Sequence, residues 1–290
     1  MSVTGGLKQP VAAPATPPPW PRWVRANVLQ WCALIGRPAR GTGAATLAWR
    51  APLRLAIGAV ILAALIGGTM IAFDAWAIRE MVQRFPVWLT PAVEEVTEFG
   101  KSSWFLVPTG VALLGLAALA SPTLPRMSRL VLAALSVRIG FVFLALAVPG
   151  VVVAVVKRLI GRARPLVGGS DDPFTYLPFG WDVEYASLPS GHASTAFAAA
   201  VAIGALWPRL RPLLWTYAVL IAVSRVVLIA HHPSDVLAGA VFGVVGALLV
   251  RDWFAARRLA FAPGAEGRIR VLPGPSFARI KRVARQLFAP

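Results

Sequence analysis

Histidine is rare in this chain of 290 residues, and its three copies lie in two short polar stretches beside apolar runs. The first stretch, SLPSGHAS, places His192 directly after Ser190 and Gly191 at the start of an alanine-rich run. Serine is a favoured N-cap, and glycine lets a ligand approach the backbone closely. Because the unpaired N–H groups of a first helical turn bind anions, the stretch predicts an anion site beside an imidazole that can donate a proton.

The second stretch, SRVVLIAHHPSD, combines a cation, two imidazoles and a carboxylate. Arg225 lies near the end of an apolar run, where a charge costs up to about 2.5–3.5 kcal/mol and therefore requires compensation. Pro233 suits the first position of a helix and puts Asp235 in the first turn. From there the carboxylate can hold one ring nitrogen of a preceding histidine as N–H, which leaves the other nitrogen free as a nucleophile. A structural hydrogen bond would explain Asp235 but not the arginine.

A basic cluster forms the third part of the pattern. KRLIGRARP, residues 157–165, follows an apolar run and contains four basic side chains, with six residues between Lys157 and Arg164. Basic residues at the end of a membrane helix commonly act as interfacial anchors, and an anionic ligand is the alternative. The three stretches together specify two histidines, one orienting acid and at least three cations. Without a carboxylate cluster or a Cys/His set, we expect no metal and no cofactor, and hence metal-free phosphoryl transfer or anion binding.

The composition indicates an integral membrane protein. Hydrophobic residues make up 57% of the chain, charged residues only 14%, and the mean hydropathy is +0.68. The net charge of +17 could attract nucleic acid, but much of it lies at the two ends and in short loops between apolar runs. Such a distribution is typical of membrane orientation, so we expect membrane lipids and not nucleic acid as partners. The single Cys32 allows no internal disulfide.

The apolar runs predict an all-α fold, a bundle of six transmembrane helices. The first run, 55–73, has nineteen uncharged residues and would form about 28 Å of helix. A mixed segment, 74–103, separates it from the second run and predicts a short amphipathic helix outside the bilayer. The predicted spans are 55–73, 104–121, 139–156, 192–207, 213–230 and 236–250.

The charges at the two ends predict the orientation of the domain 51–252. The N-terminal segment 1–50 carries six basic residues and no acid, and nine basic residues against two acids lie from Arg251 onward. Both termini are therefore predicted to be cytoplasmic and the loops 74–103, 157–191 and 231–235 periplasmic, as in a bacterial inner membrane. The basic cluster breaks this bias, which favours an anionic ligand.

The regions that flank the domain are predicted to lie outside the membrane-spanning bundle. We expect 1–19 to be disordered and Trp20–Ile35 to form an amphipathic helix on the membrane surface, with an irregular basic tail as the alternative. The C-terminal region 253–290 is predicted to be a basic cytoplasmic tail.

The three stretches resemble the signature motifs of the type 2 phosphatidic acid phosphatase superfamily. The resemblance covers roughly 139–250, and the six predicted spans are similar to its membrane branch. Eleven positions match: Lys157, Arg164, Pro165, Pro189, Ser190, Gly191, His192, Ser224, Arg225, His231 and Asp235.

The resemblance implies a role for each matching polar residue. His231 would attack phosphorus and form a phosphohistidine, oriented by Asp235, and His192 would protonate the leaving oxygen and then activate water. The phosphate oxygens would be held by Lys157, Arg164, Ser190, the N–H of Gly191 and Arg225. His232 is out of register with the motif and receives no catalytic role.

The expected function is that of an inner-membrane lipid phosphatase. The resemblance favours undecaprenyl diphosphate as substrate, with lipid A, phosphatidylglycerol phosphate and phosphatidic acid as alternatives. Transfer of phosphate from one lipid to another is a second hypothesis. A non-catalytic lipid-phosphate binder or transporter is a third, although the nucleophile and the acid are both present.

Overall fold

The structure is a computed structural model that describes residues 19–39, 52–169, 172–264 and 268–288, with backbone only for 52–55. The predicted disorder of 1–19 falls almost entirely outside these ranges. The described residues form ten α-helices and one small hairpin. The helices are α1 (Trp20–Gly36), α2 (Pro52–Thr69), α3 (Ala75–Arg84), α4 (Thr90–Glu98), α5 (Ser103–Leu119), α6 (Arg126–Ile160), α7 (Gly191–Leu206), α8 (Arg211–Val227), α9 (Pro233–Ala256) and α10 (Phe277–Phe288). The strands β1 (Phe261–Pro263) and β2 (Ile269–Val271) pair antiparallel.

The prediction of a mainly helical membrane protein is confirmed. Five continuous helical stretches in the described residues are long and apolar enough to span a membrane. The fourth predicted span corresponds to α7, whose 16 residues are shorter than the other five stretches. Large apolar side chains point outward from the bundle, among them Val60, Ile71 and Val151. This outward apolar surface is what contact with lipid tails requires, because lipid replaces water as the solvent.

The first span continues beyond its predicted end at Phe73. One turn of π-helix, Met70–Asp74, joins α2 to α3, so the helix runs on to Arg84 instead of giving way to a loop. Asp74 is fully buried in this π turn. A buried carboxylate needs a compensating cation, and the Arg162 side chain provides it. The predicted short amphipathic helix within 74–103 is present as α4.

The third span, α6, begins thirteen residues before its predicted start at 139. The extension carries an apolar stripe, in which Val131 and Leu132 pack against Val283 of α10. Ser128 donates a hydrogen bond to Gln286 over 2.7 Å, and Arg138 donates to the carbonyl of Leu272 over 2.8 Å. The C-terminal region therefore folds back on α6 as a hairpin and a helix.

Helix α7 lies at the centre of the bundle and packs against α6, α8 and α9. It is rich in buried alanine, which lets its neighbours approach closely. The contact with α9 is closest at two glycines four residues apart. A Cβ at Gly239 would lie 2.3 Å from the carbonyl oxygen of Ser190, and one at Gly243 would lie 2.3 Å from that of Ser194. Because α7 and α9 each begin at a motif with a histidine, this contact fixes the two motifs relative to each other.

We expect Gly243→Ala to destabilise the bundle by about 1–3 kcal/mol, because the added methyl group forces α7 and α9 apart. The thermal unfolding midpoint in detergent measures this loss. Gly115→Ala is the matched control, since a Cβ at Gly115 meets no atom within 4 Å. Equal midpoints for the two variants would contradict the close helix contact.

Candidate active site

The polar motifs converge at one end of the bundle. The C-terminal ends of α6 and α8 meet the N-terminal ends of α7 and α9 there, together with the described parts, 161–169 and 172–190, of the loop between α6 and α7. Ser190, before α7, donates its backbone N–H to the carbonyl of Asp235 in α9 over 2.9 Å. The sequence motifs, which are up to 78 residues apart between Lys157 and Asp235, thus form one site.

His231 and His232 occupy the turn between α8 and α9, and both are buried. The backbone N–H of His231 donates to the carbonyl of Arg225 over 3.2 Å, which ties this turn to the end of α8. His232 is the N-cap of α9 and forms a capping box with Asp235. This arrangement satisfies N–H groups at the start of α9. His232 thus has a structural task that accounts for its burial.

Asp235 contacts the histidines unequally. Its Oδ2 lies 3.3 Å from Nδ1 of His232 but 3.8 Å from Nδ1 of His231. The Ser187 hydroxyl fills the longer gap, because it donates to Oδ2 over 2.6 Å and lies 3.4 Å from Nδ1 of His231. The carboxylate thus acts on His231 largely through Ser187. An Nδ1–H held by this hydroxyl leaves Nε2 of His231 with a free lone pair.

Burial lowers the pKa of His231 to about 4, and it outweighs the nearby Asp235, which acts in the opposite direction. The cations Arg225 and Arg164 add to the lowering. At neutral pH the imidazole is therefore uncharged. An uncharged imidazole is the form that can act as a nucleophile or as a base.

A buried ion network supports Asp235 from the other side. Arg162 has no exposed surface, and its guanidinium donates to Oδ1 of Asp235 over 2.6 Å and to Oδ2 of Asp74 over 2.8 Å. Ser234 joins it, accepting from Arg162 over 2.7 Å and donating its N–H and hydroxyl to Asp74. Although burial disfavours the charge, the carboxylates of Asp235 and Asp74 raise the pKa of Arg162. The network connects the first membrane helix to the start of α9.

Within the described parts of this loop, backbone hydrogen bonds hold Arg162, Arg164 and Ser187 in place. Arg162 accepts at its carbonyl from the N–H of Ser187 over 3.0 Å, and Arg164 donates its N–H to Glu184 over 2.8 Å. Gly161 ends α6 with a φ of +62°, and a Cβ there would lie 1.8 Å from the carbonyl of Leu177. Only glycine fits this close approach.

Arg225 and Arg164 keep hydrogen-bonding capacity that the described protein atoms do not use. Arg225 donates from Nη1 to the Thr97 hydroxyl over 2.9 Å, so its charge is met by a neutral group on α4. The Nε groups of Arg164 and Arg225 are buried without a partner among the described residues. An unpartnered buried donor is costly, so these guanidinium groups are ready to receive an anion.

His192 lies in the first turn of α7, and Ser190 is the N-cap, as the sequence predicts. The Ser190 hydroxyl accepts from the N–H of Ala193 over 3.5 Å. Lys157 approaches the same turn, since its Nζ would lie 3.8 Å from a Cβ on Gly191. His192 also lies close enough to Arg225, His231 and Lys157 to interact with them electrostatically. The structure therefore brings all eight residues singled out from the sequence to one region.

A groove of about 560 Å³, the lateral groove, begins at this turn of α7 and is bordered by α5, α6 and α7. Lys101, Lys157 and His192 line its polar end. Most of the remaining wall is apolar: Leu106, Ala147, Gly150, Val151, Val153 and Ala154. Because Val151 faces outward from the bundle with 64% of its surface exposed, the groove opens toward the lipid side. Among the described residues, no group of three His, Cys, Asp or Glu could hold a metal ion.

The family model of the PAP2 superfamily matches residues 138–259. The chain is also 34% identical over 240 residues to the lipid A 1-phosphatase of Rhizobium johnstonii. This alignment covers 82% of this chain and 94% of the relative. The lipid A 1-phosphatase of Rhizobium etli is 33% identical over 223 residues, or 76% of this chain and 91% of the relative. The chain therefore belongs to the PAP2 superfamily, and the resemblance found in its motifs is confirmed. With its apolar helices, it is a membrane phosphatase of that family.

One solved structure also matches, that of the first transmembrane PAP2 type phosphatidylglycerolphosphate phosphatase from Bacillus subtilis. It is 24% identical, has a TM-score of 0.46, and covers 69% of this chain and 94% of that chain.

Sequence reasoning missed four residues that support the site: Asp74, Thr97, Arg162 and Ser187. Arg162 was visible within the basic cluster, but its spacing gave no reason to separate it from its neighbours. Asp74 directly follows nineteen uncharged residues, and an acid at the end of a membrane run was a usable signal. Thr97 and Ser187 carry no signal, because only the folded chain brings their hydroxyls to Arg225 and Asp235.

We expect Arg162→Met to lower the stability by about 3–5 kcal/mol, because two buried carboxylates lose their shared cation. Thermal unfolding in detergent measures the loss, and Asp74→Asn in the same background should recover part of it. Arg158→Met is the control, since this half-buried side chain has no carboxylate partner among the described residues. It donates to the backbone carbonyls of Trp181 and Asp182 and lies over the Trp181 ring, so its loss should cost at most about 1–2 kcal/mol. A purely additive double variant would contradict the shared network.

Proposed function

We propose that this protein hydrolyses a lipid phosphate through a phosphohistidine on His231, without a metal ion. The single observation that carries the proposal is the pair of arginines, Arg164 and Arg225, whose buried Nε donors have no partner among the described residues and which lie near an uncharged imidazole. Lys157 and the N–H of Gly191 add further donors, and Ser190 contributes its hydroxyl. Donors aimed at developing charge are worth about 100- to 1000-fold in rate each.

The proposed reaction has two steps. In the first, Nε2 of His231 attacks phosphorus, the bond from phosphorus to the lipid oxygen breaks, and protonated His192 gives its proton to that oxygen. In the second, His192 takes a proton from a water molecule, whose oxygen attacks phosphorus and breaks the P–N bond. Inorganic phosphate is released and His231 is regenerated. Asp235, through Ser187, holds the imidazole and stabilises the positive charge that it gains.

The lateral groove supports a lipid as substrate. A phosphate bound at Lys157 and His192 would be beside the polar end of the groove, and acyl chains would follow its apolar wall toward the membrane. Such a substrate never leaves the bilayer completely, so the apolar chains need no transfer through water. The lipid specificity is therefore proposed to reside in the groove walls on α5 and α6.

We propose lipid A 1-phosphate as the substrate, in place of the undecaprenyl diphosphate favoured by the sequence. Both curated relatives are lipid A 1-phosphatases, and their alignments extend over most of this chain, beyond the shared motifs. Lipid A was among the alternatives from the sequence. The charge distribution further supports an active site on the periplasmic side of the inner membrane, with both termini cytoplasmic.

The test is phosphate release in detergent from lipid A, undecaprenyl diphosphate, phosphatidylglycerol phosphate and phosphatidic acid. We expect lipid A to have the highest kcat/KM and a chelator to change nothing. His231→Ala should lose about 1000-fold or more in kcat, because no other group can form the covalent intermediate. Release from lipid A with label appearing in a second lipid, and no free phosphate, would indicate transfer instead of hydrolysis.

His232→Ala is the matched control, because the adjacent imidazole is equally buried and lies closer to Asp235. We expect it to lower stability by about 0.5–2 kcal/mol through loss of the cap while activity of the folded fraction falls less than about tenfold. A loss in His232→Ala that matches the loss in His231→Ala would contradict the assignment of the nucleophile. Trapped phosphohistidine in the His192→Ala variant, detected by mass spectrometry, would identify the modified residue directly.

A further inference from the structure

A second groove lies at the opposite end of the bundle, between α1, α5 and α6. We call it the α1 groove and define it by Arg22, Trp31, Arg126, Arg129 and Val137. Arg126 and Lys157 stand 31 residues apart on the unbroken helix α6, which corresponds to roughly 46 Å. The α1 groove is therefore at the membrane face opposite the active site, and no catalytic residue contributes to it.

Helix α1 is fixed in position by hydrogen bonds to the end of α5. Asn27 donates to the carbonyls of Ala117 and Ala120 over 2.9 and 3.0 Å, and Trp23 donates to that of Ala118 over 3.0 Å. The last carbonyls of a helix have no partner within the helix, so these side chains satisfy them. The contact holds α1 beside α5 and leaves the groove between α1 and α6 open.

The mouth of the α1 groove is cationic. Arg22 on α1 faces the first turns of α6 with Arg126 and Arg129, and Gln30 adds an amide. The mouth has a volume of about 530 Å³, and among the described residues that line it none is acidic. The three guanidinium groups form no salt bridge within the described residues. Their positive charge is therefore available to an anion.

The groove continues from this mouth as an apolar slot of about 440 Å³. Trp31, Leu34, Ser136 and Val137 line both parts, so the two are continuous. The slot is lined by α1, α5 and α6, with two glycines, Gly110 and Gly140, in its wall beside Phe143, Phe254 and Leu259. Guanidinium groups at one end and an apolar slot at the other match a phosphate headgroup with an acyl chain.

We propose that the α1 groove binds an anionic phospholipid of the leaflet opposite the active site. The phosphate lies against Arg22, Arg126 and Arg129, and one acyl chain fills the slot. This lipid is a bound partner and not a substrate, because the groove contains no nucleophile paired with a base. Since it would bridge α1 and α6, the bound lipid should also stabilise the fold. The proposal stands independently of the reaction at His231.

The test is native mass spectrometry of the full chain in detergent with phosphatidylglycerol and, separately, phosphatidylcholine. We expect at least about tenfold more adduct with phosphatidylglycerol, and a rise in the unfolding midpoint with that lipid alone. Arg126→Gln/Arg129→Gln should lose at least about tenfold in binding, since each basic residue near a lipid phosphate contributes roughly fivefold in affinity and two such contributions multiply. Arg209→Gln/Arg285→Gln removes the same charge from exposed sites outside the groove and should bind normally.

A second variant separates a lipid from a free anion. Gly140→Leu fills the apolar slot but leaves the arginines intact, and its Cβ would meet only Leu113 at 3.9 Å, an ordinary contact. We expect it to lose phosphatidylglycerol binding while keeping its unlipidated midpoint, whereas Gly115→Leu, which points into open space, should keep both. Glycerol phosphate at millimolar concentration should not compete.

Three results would overturn the proposal. Equal binding by the arginine variant and its control would show that the mouth holds no headgroup. Unchanged binding in Gly140→Leu, or competition by glycerol phosphate, would show that no acyl chain occupies the slot. Each variant is compared with its own unfolding midpoint without lipid, so that a misfolded sample is recognised, and no readout depends on phosphatase activity.

Discussion

The site depends on one buried interaction, the guanidinium of Arg162 held between the carboxylates of Asp74 and Asp235. A lone carboxylate in an apolar bundle would be neutralised by a shifted pKa, and it could then no longer orient an imidazole. The shared arginine compensates the charge of Asp235 in a place with no exposed surface. The same arginine connects the π turn of the first membrane helix to the start of α9. Both the charge balance of the site and the packing of these helices therefore depend on this contact.

Small residues allow this arrangement to be rigid. Alanines on α7 and two glycines on α9 bring the helices close enough for Ser190 to bond the backbone of Asp235. The two histidine motifs are thus placed by backbone contacts, which have little freedom to move. Arg164 and Arg225 are left with unused donors around this rigid frame, and a preorganised cationic site loses little entropy when it binds phosphate.

The two neighbouring histidines, His231 and His232, have different roles because their tertiary contacts differ. Both are buried beside Asp235, and distance alone would favour His232. The cap of α9 engages His232, while Ser187 and the cations surround His231. Register with the family motif and the surrounding charges therefore agree on His231, although the shorter carboxylate distance belongs to its neighbour.

The sequence by itself determined the helical membrane class and the family, and it singled out the eight residues that the fold brings to one region, because hydropathy and local spacing can be read directly along the chain. It did not determine Arg162, Asp74, Thr97 or Ser187 as their partners, since these contacts join segments that are 44 to 128 residues apart. The sequence also predicted that the first span ends at Phe73. In the structure the helix continues through Asp74, whose carboxylate belongs to the buried ion network. Long-range pairing of buried charges is decided only in the tertiary structure, because the free energy of burying a carboxylate depends on which cation the fold brings to it.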